Sequence, residues 1–304
     1  MPNAELEVRT YGADARPRVG FFTDTSLCIG CKACEVACKE WNHVPDDIAP
    51  WTGESYDNTR SLGADTWRHV AFVEQKVPVC ADGAARSLVK TAAAEGLADE
   101  ANLETYQEGE GFRWLMASDV CKHCTDAACL DVCPTGALFR TEFGTVVVQA
   151  DVCNGCGYCV PACPFGVLDR REGDGRVWKC TLCYDRLRDG LEPACAKACP
   201  TDSIQFGAYD ELVDVARGRV LELHSRGVDR AYLYGAGDSG DEQLAGGLGA
   251  FFLLTEAPER FGLPAQAESP IQENGPHATL AGMTAAVGAA SITIASFLLA
   301  YRRR

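Results

Sequence analysis

The chain has 304 residues, of which 47% are hydrophobic, so it is long enough for about two domains with a buried core. Its formal net charge of −15 argues against nucleic-acid binding, because phosphate neutralisation needs Lys and Arg clustered on one face. It contains 17 cysteines, yet disulfide frameworks occur mainly in small secreted domains. A different chemistry therefore has to explain the cysteines.

The first segments in chain order are a tail and a short strand. Residues 1–20 have alternating charges and no apolar stretch, so we expect neither a secretory nor a twin-arginine signal there. Residues 21–25 predict a strand that leads into a first cysteine run within residues 21–45. Trp41, which follows this run, either shields a metal site from water or belongs to the ordinary core.

Residues 46–111 are predicted to be an inserted segment. Residues 67–73 favour a strand, and residues 87–103 favour an exposed acidic helix to which we assign no function. Cys80 has no Cys or His partner nearby in sequence. We expect it to be a lone buried thiol and not a ligand.

Four cysteine runs follow one spacing pattern, and the second and third lie together in a central module predicted over residues 112–171. Within that module, residues 137–140 and 145–148 predict a hairpin between the two runs. The second gap is longer in the second run, and in the fourth run, in residues 172–208, it is greatly enlarged. The runs are Cys28-x2-Cys31-x2-Cys34-x3-Cys38, Cys121-x2-Cys124-x4-Cys129-x3-Cys133-Pro134, Cys153-x2-Cys156-x2-Cys159-x3-Cys163-Pro164 and Cys180-x2-Cys183-x11-Cys195-x3-Cys199-Pro200.

Triplets with a trailing cysteine are typical of [4Fe–4S] sites of the ferredoxin type, in which the fourth ligand of each cluster comes from the other run. The central runs therefore complete each other, and the outer runs do the same, which predicts four clusters and sixteen ligands. The predicted ligand sets are set A (Cys28, Cys31, Cys34, Cys199), set B (Cys38, Cys180, Cys183, Cys195), set C (Cys121, Cys124, Cys129, Cys163) and set D (Cys133, Cys153, Cys156, Cys159).

Other metal chemistry fits the spacing less well. Structural zinc sites use two Cys-x2-Cys pairs and not triplets with a trailing Cys-Pro. His123 lies inside the second run, but Rieske centres replace two thiolates with two histidines, and here all four thiolates are present. A metal-stabilised binding module with no redox role is the alternative from a different class.

Lysines lie next to several runs, and two interpretations of them stay open. A cation near a cluster stabilises the extra negative charge of the reduced state and raises the reduction potential. Solvated lysines would have no such effect. The four lysines concerned are Lys32, Lys39, Lys122 and Lys179.

The last third of the chain contains an α/β segment, a linker and an apolar helix. In residues 209–263 we expect a helix over 210–226 and strands over 231–234 and 250–254, packed on the cluster domain. Residues 264–277 are predicted to be a linker. Residues 278–301 predict a single transmembrane helix, because residues 278–300 carry no charge and would span about 34 Å as a helix.

The side of the membrane that carries the clusters is predicted from charge. Arg302, Arg303 and Arg304 follow the helix, which favours a cytoplasmic C-terminus and a cluster domain on the outer, periplasmic side. With no export signal of its own, the domain would have to be carried out on the signal of a partner. The fold class expected overall is α+β, with two ferredoxin-like dicluster modules, loop insertions and one C-terminal transmembrane helix.

Three stretches resemble the iron–sulfur (beta) subunit of membrane-bound respiratory formate dehydrogenase, within the wider class of four-cluster subunits of molybdoenzymes and hydrogenases. The similarity extends from about residue 21 to residue 264 and includes the anchor, but not residues 87–103. The stretches are residues 28–42 (CIGCKACEVACKEWN), residues 178–183 (WKCTLC) and residues 192–195 (EPAC).

The resemblance implies a non-catalytic electron-transfer subunit. A catalytic subunit with a molybdenum or tungsten pterin cofactor would oxidise formate, and the electrons would cross four [4Fe–4S] clusters to a cytochrome b subunit that reduces quinone. The same role in a hydrogenase or another molybdoenzyme is the alternative within this class. In agreement, no stretch of the sequence resembles a substrate site or a nucleophile.

Overall fold

A computed structural model describes residues 16–45, 53, 56–78, 110–237 and 244–302. Cys80 and the helix predicted over residues 87–103 lie outside the described residues. The strands are β1 Val19–Asp24, β2 Arg68–Pro78, β3 Glu110–Val120, β4 Leu138–Arg140, β5 Val146–Val148, β6 Asp169–Arg170, β7 Val177–Trp178, β8 Ile204–Ala208, β9 Tyr232–Tyr234 and β10 Ala250–Leu254. The helices are α1 Ala33–Asn42, α2 Ala128–Asp131, α3 Cys159–Ala162, α4 Tyr184–Arg188, α5 Ala194–Lys197, α6 Tyr209–Ser225 and α7 Pro270–Arg302, with a 3₁₀ helix at Pro258–Phe261.

A four-stranded sheet in the order β8-β1-β10-β9 separates two hydrophobic cores. Strand β1 is antiparallel to β8 and parallel to β10. Because successive side chains of a strand point to opposite faces, the neighbours Phe21 and Phe22 enter different cores. Phe21 belongs to the core that contains the cysteines, and Phe22 stacks on Phe251 in the other. The predicted strand at residues 21–25 is confirmed, and it starts two residues earlier.

Helix α6 covers the face of this sheet that lies away from the cysteines. Its buried side chains include Leu212, Val213, Ala216 and Leu223, which recur at helical spacing, and Gly227 follows its end with φ 83°. This confirms the helix predicted over residues 210–226. The strands predicted over residues 231–234 and 250–254 are confirmed as β9 and β10.

The inserted segment contributes a long antiparallel ladder. Strands β2 and β3 are paired from Arg68 opposite Val120 to Pro78 opposite Glu110. The strand predicted over residues 67–73 is therefore real but longer, and its partner β3 was not predicted. The sequence of β3 mixes polar, charged and aromatic residues without regular alternation, so only the pairing reveals it. Strand β3 also crosses the predicted division between residues 111 and 112.

Short hairpins accompany the cysteine runs. Strands β4 and β5 form the hairpin predicted between the second and third runs, and β6 pairs with β7 after the third. Strand β4 begins four residues after Pro134, and β8 begins four residues after Pro200. In both places the chain therefore enters a strand shortly after Cys-Pro.

Helix α7 has 33 residues and is longer than predicted. It begins at Pro270, inside the stretch predicted to be a linker, so a linker over residues 264–277 is wrong for its second half. Proline is compatible with the first turn of a helix because its fixed φ matches the helical value and its missing N–H would have no partner there.

One stretch of α7, Ala278–Ser296, is long and apolar enough to cross a membrane, with a mean hydropathy of 1.5, and none of it is buried against the rest of the described residues. Its polar side chains bond to the helix itself. The hydroxyl of Ser291 donates to the carbonyl of Val287, and that of Thr293 donates to the carbonyl of Ala289. A helix in lipid has no water to hydrogen-bond its polar groups, so these groups need partners within the helix or the protein.

Candidate metal centres

All four Cys-x2-Cys loops have one backbone feature in common. The residue before the second cysteine has a positive φ in every run, with values of 67° at Gly30, 45° at His123, 71° at Gly155 and 55° at Leu182. Two of the four are glycine, for which this conformation costs little, whereas His123 and Leu182 are strained unless packing holds them. Both of these side chains are buried. Each run therefore has a left-handed residue at the same position, between its first two cysteines.

Glycine is also needed at two of these positions because of close neighbours. A Cβ on Gly30 would lie 2.6 Å from the ring of Phe72 on β2, and one on Gly155 would lie 2.2 Å from the carbonyl oxygen of Gly175. The first contact is with the inserted ladder. The first cysteine loop therefore packs closely against the ladder of β2 and β3, with no space for a side chain at Gly30.

Three of the predicted ligand sets line three separate cavities. The set A cavity is completed by Val70, Ser118 and Ile204. The set C cavity is completed by Lys122, His123 and Phe165, and the set D cavity by Leu138, Val148 and Val177. In each, three cysteines come from one run and the fourth from another: Cys199 for set A, Cys163 for set C and Cys133 for set D.

The four cysteines of set B also lie together, and all of them are buried. The thiol of Cys38 is close enough to Cys180, Cys195 and Cys183 to interact electrostatically with each. The amide of Asn42 lies 3.7 Å from the sulfurs of both Cys38 and Cys183. Every predicted site residue is thus found beside the other members of its set, and four converging thiols are the donor set that a [4Fe–4S] cluster requires.

The runs are associated in two pairs. Helix α1, in the first run, packs on α5, in the fourth, and α2, in the second run, packs on α3, in the third. We call the first pair of runs the outer module (sets A and B) and the second pair the inner module (sets C and D).

The four sets follow one another in a row. Cys34 of set A interacts electrostatically with Cys195 of set B. Cys180 of set B interacts in the same way with Cys121 of set C. Cys129 of set C does so with Cys159 of set D. The spatial order is therefore A, B, C, D.

Burial makes most of these thiols poor acids. It raises the pKa of Cys34 to about 11, of Cys129 to about 12 and of Cys159 to about 11. Cys133 differs, because it is less buried and backbone N–H groups such as that of Leu138 outweigh its burial and hold its pKa below the ordinary value. At neutral pH the buried sulfurs are thiolates only when a bound cation stabilises the charge.

Two of the four lysines next to the runs, Lys122 and Lys179, are buried. The interpretation that these lysines are solvated is therefore wrong for these two. Lys179 donates to the carbonyl oxygens of Val146 and Cys180. Burial alone would lower its pKa, but the neighbouring sulfurs of Cys121 and Cys129 raise it above the ordinary value. Lys179 is therefore a charged group between sets B and C.

The remaining lysines are closer to the surface and are paired with oxygen atoms. Lys32 forms ion pairs with Glu35 and Asp57 at 3.1 Å and 2.8 Å. Lys39 donates to the carbonyl oxygens of Pro45 and Asp65. Neither lysine is simply solvated.

Sequence reasoning missed Arg68, a buried cation between sets A and B, which is 2% exposed. Its Nη2 donates to Cys195 Sγ at 3.2 Å, and its Nη1 donates to the backbone and side-chain oxygens of Ser118 at 3.3 Å. Burial would lower its pKa, yet the sulfurs of Cys195 and Cys34 raise it above the ordinary value. Arg68 lies outside all four cysteine runs, so their spacing carries no signal for it.

His123 is buried and accepts a hydrogen bond from the backbone N–H of Val146 at its Nδ1, while its Nε2 has no hydrogen-bond partner among the described residues. Burial and the charge of Lys179 hold its pKa well below the ordinary value, so the ring is neutral.

Trp41 is 43% exposed, donates to Asp185 and lies under the guanidinium of Arg186 at 4.1 Å. The interpretation of Trp41 as ordinary core is therefore wrong.

Comparison with known proteins places this geometry in a family. Two family models, each described as a 4Fe-4S dicluster domain, match residues 27–137 and 112–209. The formate dehydrogenase, nitrate-inducible, iron-sulfur subunit of Escherichia coli (strain K12) is 37% identical over 262 residues, which cover 85% of this chain and 75% of that protein.

Two further relatives show the breadth of the similarity. The formate dehydrogenase iron-sulfur subunit of Haemophilus influenzae is 37% identical over 255 residues, which are 83% of this chain and 70% of the relative. The B subunit of the anaerobic dimethyl sulfoxide reductase of Escherichia coli (strain K12) is 35% identical over 193 residues, which are 64% of this chain and 75% of the relative. The resemblance carried by the cysteine runs and by residues 28–42 is confirmed, and a binding module without a redox role is not supported. The chain belongs to the family of formate dehydrogenase iron–sulfur subunits, which are electron-transfer subunits with two ferredoxin-like 4Fe-4S dicluster domains.

Proposed function

We propose that the chain relays electrons through four [4Fe–4S] clusters from a catalytic formate dehydrogenase subunit with a molybdenum or tungsten cofactor to a membrane cytochrome b that reduces quinone. The observation that carries the proposal is the row of four cysteine sets with an exposed cysteine in each end set. Cys31 of set A and Cys156 of set D are exposed, whereas the cysteines of sets B and C are buried or half-buried.

The proposed ligands are the sixteen cysteines of the four sets. Bound to them, [4Fe–4S] clusters would supply four one-electron carriers in sequence. The protein contributes loops that share a left-handed residue, buried cations, and two middle sets whose cysteines are buried or half-buried. Because the first and fourth runs share ligands, and the second and third runs do the same, this ligand assignment divides the chain into the outer and the inner module.

The two ends of the row have surfaces suited to docking. Near set A, Ile29 and Val36 are each 59% exposed, and near set D, Tyr158 is 64% exposed. Exposed apolar side chains beside a cofactor site are typical of surfaces that contact another protein. We assign one partner subunit to each end.

The anchor helix supports the choice of partner for each end. Helix α7 begins beside α2, where Ser269 donates to Asp131 at 3.5 Å, and Ser269 lines the set C cavity. The inner module is therefore the part nearest the start of the anchor. We assign its exposed end, set D, to the cytochrome b subunit, and set A to the catalytic subunit.

The cluster count is tested by iron and sulfide analysis of protein purified without oxygen. We expect about sixteen of each per chain. A Cys80→Ser variant is the matched control and should keep all of its iron. A value near eight, or zinc in place of iron, would contradict the proposal.

The electron donor is tested in the purified complex by EPR. We expect formate to reduce the clusters. The similarity to the B subunit of anaerobic dimethyl sulfoxide reductase makes another molybdoenzyme partner the second candidate, and a membrane-bound hydrogenase is a third. Reoxidation of reduced clusters by dimethyl sulfoxide, or reduction by hydrogen, in a complex that does not respond to formate would favour one of these instead.

The charges that flank the apolar helix favour one side of the membrane for the cluster domain. Arg302, Arg303 and Arg304 follow the apolar stretch, whereas Glu268 and Glu273 precede it, which favours a cytoplasmic C-terminus and clusters on the outer, periplasmic side. Protease added outside spheroplasts should then digest the cluster domain and spare the arginine tail. Resistance until the membrane is broken would reverse the orientation.

A further inference from the structure

Arg68 and Ser118 form a continuous bridge of polar contacts between the first two cysteine sets. Ser118 Oγ lies 3.2 Å from Cys34 Sγ of set A and accepts a hydrogen bond from Arg68 Nη1 at 3.3 Å. The other end of the guanidinium, Nη2, donates to Cys195 Sγ of set B at 3.2 Å. Both residues are buried, so solvent does not screen the bridge.

The charge of Arg68 needs compensation that its oxygen partners do not supply. Among the described residues, its hydrogen-bond partners are Ser118 and the sulfur of Cys195, and its Nε has none. The ring of Phe21, 4.9 Å from the guanidinium, adds a weaker contact. A buried charge without a counter-charge is strongly unfavourable, so the compensating negative charge has to come from the cysteine sulfurs on either side.

We propose that Arg68, which Ser118 holds in place, raises the reduction potentials of the clusters at sets A and B together through its charge. This inference rests on the proposed cluster ligation. A cluster gains one negative charge when it accepts an electron, and a fixed cation beside it stabilises that charge. Because one guanidinium serves both sets, its removal lowers two potentials and not one.

The two members of the bridge have separable effects. Arg68 contacts set B directly and set A through Ser118, so replacing it changes both sets. Ser118 contacts Cys34 itself, and its hydroxyl donates to that sulfur when the sulfur is a thiolate. Its loss therefore acts mainly on set A.

The test is an EPR-monitored redox titration of the complex that contains the full chain. In Arg68→Met, we expect two of the four midpoint potentials to fall by an amount equal to at least a ten-fold change in the oxidised-to-reduced ratio, about 59 mV for a one-electron couple. Arg68→Lys keeps the charge and should restore most of the shift. In Ser118→Ala only one of these two potentials should move.

Arg186→Met is the matched control, because Arg186 is also a buried arginine of the outer module but donates to the carbonyl of Glu192 and lies over Trp41. It should leave all four potentials in place. The proposal is overturned if no potential moves in an Arg68→Met protein with full iron content, or if all four move equally.

Failure of the bridge is distinguishable from failure of the proposed function. If Arg68→Met and Arg68→Lys both lose iron, Ser118→Ala decides, and four unchanged potentials in that variant refute the bridge. A wild-type chain without four reducible clusters would instead refute the relay itself.

Discussion

The outer and inner modules share the positive φ before the second cysteine of each run but differ in the charged groups beside their cysteine sets. In the outer module, Arg68 and Ser118, from the long ladder of β2 and β3, fill the space between sets A and B. In the inner module, backbone N–H groups approach Cys133 of set D, and the buried cations Lys122 and Lys179 lie beside set C. The outer module therefore has an arginine that contacts a sulfur of set B directly and a sulfur of set A through Ser118, whereas the cations of the inner module lie beside set C.

Under the proposed ligation, one cysteine pattern serves electron carriers in unlike surroundings. The potential of an iron–sulfur cluster depends on nearby charge, hydrogen bonds to sulfur and solvent exposure, and not on the ligand set alone. The inserted segment is what distinguishes the outer module, since its ladder supplies both members of the bridge. Four predictions test this comparison.

The largest effect is expected from removing one buried cysteine of the proposed ligand sets in each module. Cys195→Ala and Cys159→Ala should each lose up to about four iron atoms per chain. Cys195→Ala also removes the sulfur partner of Arg68, and an uncompensated buried charge costs about 3–5 kcal/mol. Its thermal midpoint, followed by visible absorption without oxygen, should be roughly 10 °C lower than that of Cys159→Ala. Equal midpoints would mean that the bridge contributes nothing to stability.

A smaller effect is expected at the junction between the modules. Lys179→Met removes the buried cation between sets B and C, so two midpoint potentials should fall by about 59 mV or more each, a ten-fold change in the oxidised-to-reduced ratio. Lys197→Met is the control, because its side chain is 69% exposed and pairs with Glu192. Redox titration measures both variants. Unchanged potentials in Lys179→Met would show that this lysine only fills space.

The third prediction concerns the support of the first run by the C-terminal segment. Arg219 on α6 pairs with the buried Asp24 at the end of β1 at 2.9 Å, and Asp24 directly precedes the first cysteine loop. Arg219→Ala should lower the free energy of unfolding by about 1–3 kcal/mol, because Asp24 keeps only its bonds to Ser26.

The control for this prediction lies on the same helix. Arg217 pairs with the exposed Asp214, so Arg217→Ala should change stability very little. Denaturant unfolding measures both variants. Equal destabilisation of the two variants would show that the outer module does not depend on the contact between β1 and α6.

The smallest effect is expected where the modules are alike. Thr135 Oγ1 lies 3.7 Å from Cys133 Sγ in the inner module, and Thr201 Oγ1 lies 3.8 Å from Cys199 Sγ in the outer one. Thr135→Val and Thr201→Val should each lower one potential by a similar amount, less than about a three-fold change in the oxidised-to-reduced ratio. Clearly unequal shifts would show that the Cys-Pro-Thr turns are not equivalent.

Much of the site followed from local spacing. The cysteine runs, the hairpin β4–β5, helix α6 and the apolar stretch of α7 are all set by the order of neighbouring residues, and these predictions agree with the structure. The predictions that failed were those that depended on surroundings. Trp41 is large and apolar but lies at the surface, because Asp185 and Arg186 hold it there.

By itself, the sequence determined the kind of protein this is, because sixteen cysteines in four runs allow few other ligand chemistries and the apolar helix needs no partner to be identified. Only the tertiary structure decided which charges lie between the sets. Strand pairing puts Arg68 opposite Val120 and brings Ser118 beside it, although the two are 50 residues apart in the sequence. No spacing rule encodes such a contact, because it depends on the register of β2 and β3 and on the packing of their ladder against the first cysteine loop.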